Sequence, residues 1–239
     1  MNDLNLSAMR LRFASYNILH GKCAGENMSG IAKNITENEI DIVGIQEIDR
    51  GTLRSEGRDV LKALSEATGY KHYIFFKTIS FDGGDYGIGV LSRYPIIADA
   101  ELILDSEGGE SRALGYAQID VNGKAVSFFV THLSFDSPTA RKKQMAQIAK
   151  TLKNYDDFVL SGDFNTSDFS IYDAISGCAT LNKRESPAVT FPEGNLSIDN
   201  IVYSDNAWSF GGINVVTDSY SDHYMIWGEA VRKSYNDLI

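Results

Sequence analysis

The chain has 239 residues, enough to bury a sizeable core, and its 43% hydrophobic and 23% charged residues are globular values that exclude a disordered polypeptide. Twenty-two Lys and Arg against 32 Asp and Glu leave a formal charge of −10, which disfavours a protein that grips a long polyanion over many phosphates. The apolar runs are strand-sized, so no membrane-crossing helix is expected, and Met1–Arg10 lacks the basic-then-apolar pattern of a signal peptide. Cys23 and Cys178 form neither a CxxC pair nor a disulfide framework; two reduced thiols fit a cytoplasmic protein.

No repeat, low-complexity tract or linker divides the chain, which predicts one domain over 1–239. Leu11–Ile18 is apolar on both parities, as in a strand covered on both faces, and Ile31 and Ile35 lie one turn apart in a short helix over Asn27–Asn38. Ile40–Ile45 is a second buried strand ending in Gln46-Glu47. Arg58–Thr68 carries Val60, Leu61, Leu64 and Ala67 on one helical side and stops at Gly69. Strands are then expected over His72–Phe76, Gly87–Ser92, Ile96–Leu104, Ala113–Val121 and Ala125–His132, with Asn122-Gly123 as a hairpin turn. Ser137-Pro138 opens a helix to about Lys153, Ser as N-cap and Pro at the first helical position. Asp157–Ser161 is a strand and Asp168–Ser176 a helix. Ser197–Tyr203, Gly212–Asp218 and Tyr224–Ala230 complete the strands. Strand–helix units flanking a central antiparallel block predict an α/β fold of two packed, mostly antiparallel sheets with helices outside, rather than a doubly wound parallel sheet.

Polar residues suited to metal and phosphate chemistry recur where the apolar strands end: Asn17, Glu47, His132, the pair Asp163 and Asn165, Asp199, and Asp222-His223. At one strand end such a residue is ordinarily a turn former. The recurrence at so many ends points instead to a shared site. Glu47, Asp163, Asp222 and the amides of Asn17 and Asn165 are hard oxygen donors that suit Mg²⁺ or Mn²⁺. The absence of a cysteine cluster argues against a closed structural zinc site. His223 could carry a proton if a carboxylate oriented its ring, and Asp199, a charge among Ile198, Ile201 and Val202, is the candidate partner.

The segments Tyr16-Asn17-Ile18, Gln46-Glu47, Thr131-His132-Leu133, Gly162-Asp163-Phe164-Asn165, Ile198-Asp199-Asn200-Ile201 and Ser221-Asp222-His223 occur in that order. This ordered set, with the internal stretch Gly87–Pro95, resembles the endonuclease/exonuclease/phosphatase superfamily from about Arg12 to Trp227. The resemblance implies a four-layer α/β sandwich and a divalent-metal-dependent phosphoester hydrolase. It implies Glu47 as the principal metal ligand, with Asn17 and Asp222 near the same ion. Asp163 and Asn165 would position the attacking water and the phosphate, His223 oriented by Asp199 would be the catalytic histidine, and His132 would contact the scissile phosphate. Whether Asp163 or His223 takes the water's proton stays open. Leu19 stands where AP endonucleases generally have Asp, and His132 where they have Asn, which counts against that branch.

Arg112 and Arg50 are the candidate phosphate-binding arginines, since the planar guanidinium donates two hydrogen bonds at once. Arg141-Lys142-Lys143 is expected to be a solvated helix face, His20 and Cys23 could line the pocket rim, and His72 is expected to be structural. Ser80–Asp85 and Asp105–Glu110 are glycine- and acid-rich; strands follow both, so they are read as mobile loops bordering the cleft rather than phosphate cradles. The expected substrate is a phosphodiester or phosphomonoester of a small molecule, lipid headgroup or short nucleotide. A DNA or RNA nuclease of the same family is the alternative. A binding module that has lost catalysis is disfavoured by the full set of site residues.

Overall fold

Two β-sheets pack face to face, each built around one parallel strand pair joined through a helix. The computed structural model describes residues 8–218 and 220–233, so most of the Met1–Arg10 stretch lies outside it. β1 (Arg10–Asn17) leads through α1 (Ser29–Glu37) to β2 (Ile42–Arg50), which runs parallel to β1 with Asn17 opposite Gln46. α2 (Val60–Thr68) follows, capped by the Asp59 carboxylate on the Lys62 N–H and closed by Gly69 at φ +74°. β3 (His72–Phe81) and β4 (Gly84–Ser92) form a hairpin, and the chain crosses to β5 (Ile96–Leu104), β6 (Arg112–Val121) and β7 (Lys124–His132). α3 (Pro138–Leu152) returns it to β8 (Val159–Asp163), parallel to β7 with His132 opposite Asp163. Short β9 (Cys178–Thr180), β10 (Asp199–Ser204), β11 (Trp208–Phe210), β12 (Asn214–Val216) and β13 (Met225–Arg232) complete the chain.

The first sheet has the order β11-β13-β1-β2-β4-β3 with β12 also on β13, and the second β5-β6-β7-β8-β10-β9. Between them lie Phe13, Phe128, Val130, Ile201 and Ile226, all fully buried, with Phe13 and Phe128 stacked at 5.9 Å. Each such side chain contributes roughly 1.5–3 kcal/mol by leaving water. On the outer face of the first sheet Ile31, Ile35, Leu61 and Leu64 of α1 and α2 cover Val43, Ile45 and Leu91. On the outer face of the second, Met145 and Ile148 of α3 cover Leu160 and Phe129. The result is the expected four-layer α/β sandwich of two mixed, mostly antiparallel sheets.

Several elements depart from the sequence reading. β2 does not stop at Glu47 but continues to Arg50, because a bulge between Ile45 and Ile48 absorbs the irregularity. Ser80–Asp85 is not a mobile loop but the tip of the β3–β4 hairpin, with Asp82 and Gly83 at φ +48° and +81°. Asp105–Glu110 is a turn, but Lys143 pairs with Glu107 at 2.5 Å and Gln147 accepts from the Asp105 N–H at 2.8 Å, so α3 ties it down. The helix expected over Asp168–Ser176 is 3₁₀, Phe169–Ala174, and β9 and β11 carry too few residues to show a period.

Candidate active site

Parallel pairing decides where the site forms. β1 and β2 run in one direction, as do β7 and β8, so Asn17, His132 and Asp163 emerge at strand carboxyl ends, with Glu47 in the β2 bulge one residue past Gln46, the partner of Asn17. Asn17 joins the two sheets there: its amide nitrogen donates to Glu47 Oε1 and to Asp163 Oδ2, both at 3.1 Å. The Asn17 oxygen accepts from the Leu19 N–H at 3.1 Å, which fixes which way the amide faces.

Glu47 sits in the β2 bulge at φ +60°, a left-handed conformation that costs a non-glycine residue about 1 kcal/mol or more. The bulge turns its carboxylate out of the regular in–out alternation toward Asn17. Burial raises its pKa, the Asn17 hydrogen bond opposes the rise, and the Asp222 charge adds to it. Asp163, 1% exposed, receives the Asn165 N–H on Oδ1 at 2.9 Å. Its Oδ2 faces His132 Nε2 at 3.6 Å and His223 Nε2 at 3.7 Å. Asn165, at φ +51°, ties the β8 end to the β7 end by donating from Nδ2 to the Leu133 carbonyl at 3.0 Å.

Asp199 and His223 meet as expected: Oδ2 lies 2.9 Å from Nδ1, and both groups are buried. The Thr190 hydroxyl accepts the Asp199 N–H at 3.1 Å, and Phe191 packs on the imidazole with ring centroids 5.0 Å apart. The backbone before His223 is anchored by Ser221, whose hydroxyl donates to the Asn17 carbonyl at 2.7 Å. Thr190 and Phe191 escape sequence reasoning because a hydroxyl or ring in a loop carries no periodic signal, whereas Ser221 was legible as part of the Ser221-Asp222-His223 segment.

Burial alone would discharge His223, but Asp199 and then Asp163 outweigh it and push its pKa up to about 10. Burial, reinforced by the Asp199 charge, pushes Asp163 up to about 7. Burial, with Arg112 and His223 nearby, drives His132 well below the usual histidine range, so it is a neutral imidazole at pH 7.

The arginines separate. Arg112, 3% exposed, lies close enough for its charge to act on Glu47 and His132, and its Nε has no partner. Arg50 is turned away onto Asp85 at 2.7 Å and over the Phe75 ring at 4.4 Å. Arg54 feels the Glu47 charge but grips the fully buried Asp49 through Nε at 2.7 Å and Nη2 at 2.8 Å. His20 is half-buried beside Arg54 and Asp49, whereas Cys23 is exposed. His72 is half-buried in β3. Within the basic run, Arg141 caps the Ser134 and Phe135 carbonyls at 2.9 and 3.0 Å, and Lys143 is the residue on Glu107.

The donor set fits a hard divalent cation. Glu47 and Asp222 repel each other, both are oxygen donors, and among the described residues no Lys or Arg lies within 4.0 Å of either carboxylate. Asp163, Asp199 and His223 also present ligand atoms within 4.8 Å of one another, although the Asp199–His223 hydrogen bond already occupies one donor of each.

A 132-residue stretch is 27% identical to Protein cwh43 of Schizosaccharomyces pombe, covering 54% of this chain and 13% of that protein. Among solved structures, the mannosyl-6-phosphatase Bt3783 of Bacteroides thetaiotaomicron shares the fold at a TM-score of 0.72 and 19% identity, over 92% of this chain and 99% of that one. D. rerio TDP2 complexed with a single-strand DNA product superposes at 0.70 and 17% identity, over 92% and 98%. The model of the Endonuclease/Exonuclease/phosphatase family matches residues 14–223, from β1 through the site histidine His223. The chain therefore belongs to that family, whose members are metal-dependent phosphoesterases.

Proposed function

We propose that the chain hydrolyses a phosphodiester or phosphomonoester of a small molecule, lipid headgroup or short nucleotide, with Mg²⁺ or Mn²⁺ as cofactor and the whole chain acting as one catalytic unit. The observation that carries the reading is a polar network across both sheets: hydrogen bonds join Glu47–Asn17–Asp163 and Asp199–His223, Asp163 faces His223 across 3.7 Å, and the charge of the buried Arg112 acts on Glu47 and His132. A phosphatase and a DNA-product complex both share the fold, so the fold itself leaves the substrate class open.

Glu47 and Asp222 would hold the cation, and Asn17 would fix the Glu47 carboxylate between them. A bound divalent ion offsets charge on a phosphoryl oxygen and lowers the pKa of water. Asp163, held by the Asn165 N–H and Asn17, has an affinity raised toward neutrality and is suited to take the proton of the attacking water. His223, kept protonated by Asp199, is suited to hold a proton near the phosphoryl or leaving-group oxygen. His132, neutral, can hydrogen-bond a phosphate oxygen, and Arg112 would pair with its charge.

The test is hydrolysis of a panel of phosphomonoesters and phosphodiesters with Mg²⁺ or Mn²⁺ and after exhaustive EDTA treatment. Turnover is expected only with metal, and Glu47→Gln should weaken Mn²⁺ binding in calorimetry while the fold is kept. Full turnover after EDTA, or unchanged metal affinity in the variant, would overturn these assignments.

A further inference from the structure

Arg112 carries an unusual combination of burial and incomplete pairing. A guanidinium has five N–H donors and cannot shed its charge, so a desolvated one needs acceptors. Arg112 is 3% exposed, its Nε has no partner, and its Nη2 meets one carboxylate, Glu110 Oε1, at 3.1 Å. Glu110 lies on the active-site side: its charge acts on Tyr86, which also senses Glu47 and Arg112.

We propose that Glu110 is an internal anion that occupies the phosphate-binding edge of Arg112 in the free enzyme and is displaced by the phosphate of the substrate. The proposal rests on Arg112 as the phosphate contact and adds a specificity-determining residue to that site. Carboxylate and phosphate each offer a guanidinium a pair of anionic acceptor oxygens, so one can stand in for the other. The chain is built for an exchange of side chains rather than of loops. Before Glu110 the turn is fixed: the Glu107 N–H donates to Asp105 at 2.9 Å, the Gly109 N–H to the Ser106 carbonyl at 2.8 Å, and Lys143 holds Glu107. After it, β6 begins at Arg112. Glu110 is anchored at both ends while its side chain stays 35% exposed, so the carboxylate can rotate into water when an anion arrives. Its place beside a buried cation also keeps Arg112 from resting unpaired before substrate binds, which would be costly.

The experiment compares wild type with Glu110→Gln and Glu110→Ala in the Mg²⁺-loaded enzyme. It measures kcat and KM for 4-nitrophenyl phosphate and bis(4-nitrophenyl) phosphate, and the affinity for inorganic phosphate by calorimetry. Removing the internal competitor should tighten phosphate binding and lower KM on the order of 3- to 10-fold, the change lying in KM rather than kcat. Placing Glu110→Gln in an Arg112→Lys background should abolish most of that gain. A higher KM and weaker phosphate binding in both Glu110 variants would make the residue a support for Arg112 and overturn the proposal. Unchanged values would overturn it equally. Wild type that turns over the esters with no gain in the variants sinks this proposal alone. Wild type that neither binds phosphate nor turns over any ester sinks the phosphoesterase assignment of the site with it.

Discussion

His223 shows how one residue depends on its neighbours for a function. An imidazole ordinarily titrates near 6.5; here two carboxylates within 3.7 Å keep it charged despite burial. If Asp199 acts by holding that ring and charge, the two residues form one unit. His223→Ala should cost on the order of 10²-fold or more in kcat, Asp199→Asn a comparable factor, and the double variant little more than the weaker single variant. Fully additive losses in steady-state kinetics would show that the pair works independently. The participants were legible because each is a charged or amide residue that interrupts an apolar strand. The geometry was not: nothing in Asn17 itself says that its nitrogen would face Glu47 and Asp163 while its oxygen accepts from Leu19.

At the scale of elements, β2 and β8 pack tightly against each other across the two sheets at Gly44. A Cβ on Gly44 would come within 1.8 Å of Ser161 Oγ and 3.1 Å of Ser161 Cβ and Val130 Cγ2. Gly44→Ala should therefore destabilise the protein by about 1–3 kcal/mol through overpacking, read from urea unfolding. Adding Ser161→Ala removes the nearest atom and should restore part of the loss; a neutral Gly44→Ala would mean the sheets can separate at no cost. On the exposed side, Asp85 of β4 clamps both neighbouring strands, meeting Arg50 of β2 at 2.7 Å and Lys77 of β3 at 2.6 Å. These partners depress its pKa. The bound charge then stabilises the fold above the unfolded aspartate value of about 3.9 and is lost as pH falls through the lower folded value. Tm measured from pH 6 down to pH 2 should fall less steeply for Asp85→Asn than for wild type, with a difference near neutrality of about 1 kcal/mol or less. An identical acid limb in the two proteins would remove Asp85 from this role.

The whole molecule carries −10, which repels a polyanion at a distance. Arg112, the phosphate contact proposed above, would hold a single phosphate, and Arg54 is already paired with Asp49, so neither tracks a strand. kcat/KM on a small phosphoester should change little between 50 and 200 mM salt, whereas an enzyme making 6–10 phosphate contacts loses about 10³–10⁵ in affinity over that range. Efficient plasmid nicking that collapses with salt, beside negligible activity on small esters, would favour the nuclease alternative. No helix among the described residues is long and apolar enough to cross a membrane.

The sequence by itself determined most of the elements and picked out the polar residues Asn17, Glu47, Asp163, Asp199 and His223 that the fold brings together. Apolar periodicity is a local property, and an ionisable residue ending an apolar strand is visible without coordinates. It could not supply the hairpin of Ser80–Asp85, because glycine and acid residues serve an ordered turn as well as a loose loop. Nor could it separate Arg50 from Arg112. Arg50, three residues past Glu47, and Arg112, before a central strand, were both candidate phosphate ligands, and only strand register sends Arg50 to Asp85 while burying Arg112 where its charge reaches Glu47 and His132. The bulge that carries Glu47 at positive φ and the Asn17 link between the sheets exist only once β2 pairs with β4 and the sheets close. Residue types are chosen along the chain, but distances between them belong to pairings that, within the site, span as many as 204 positions.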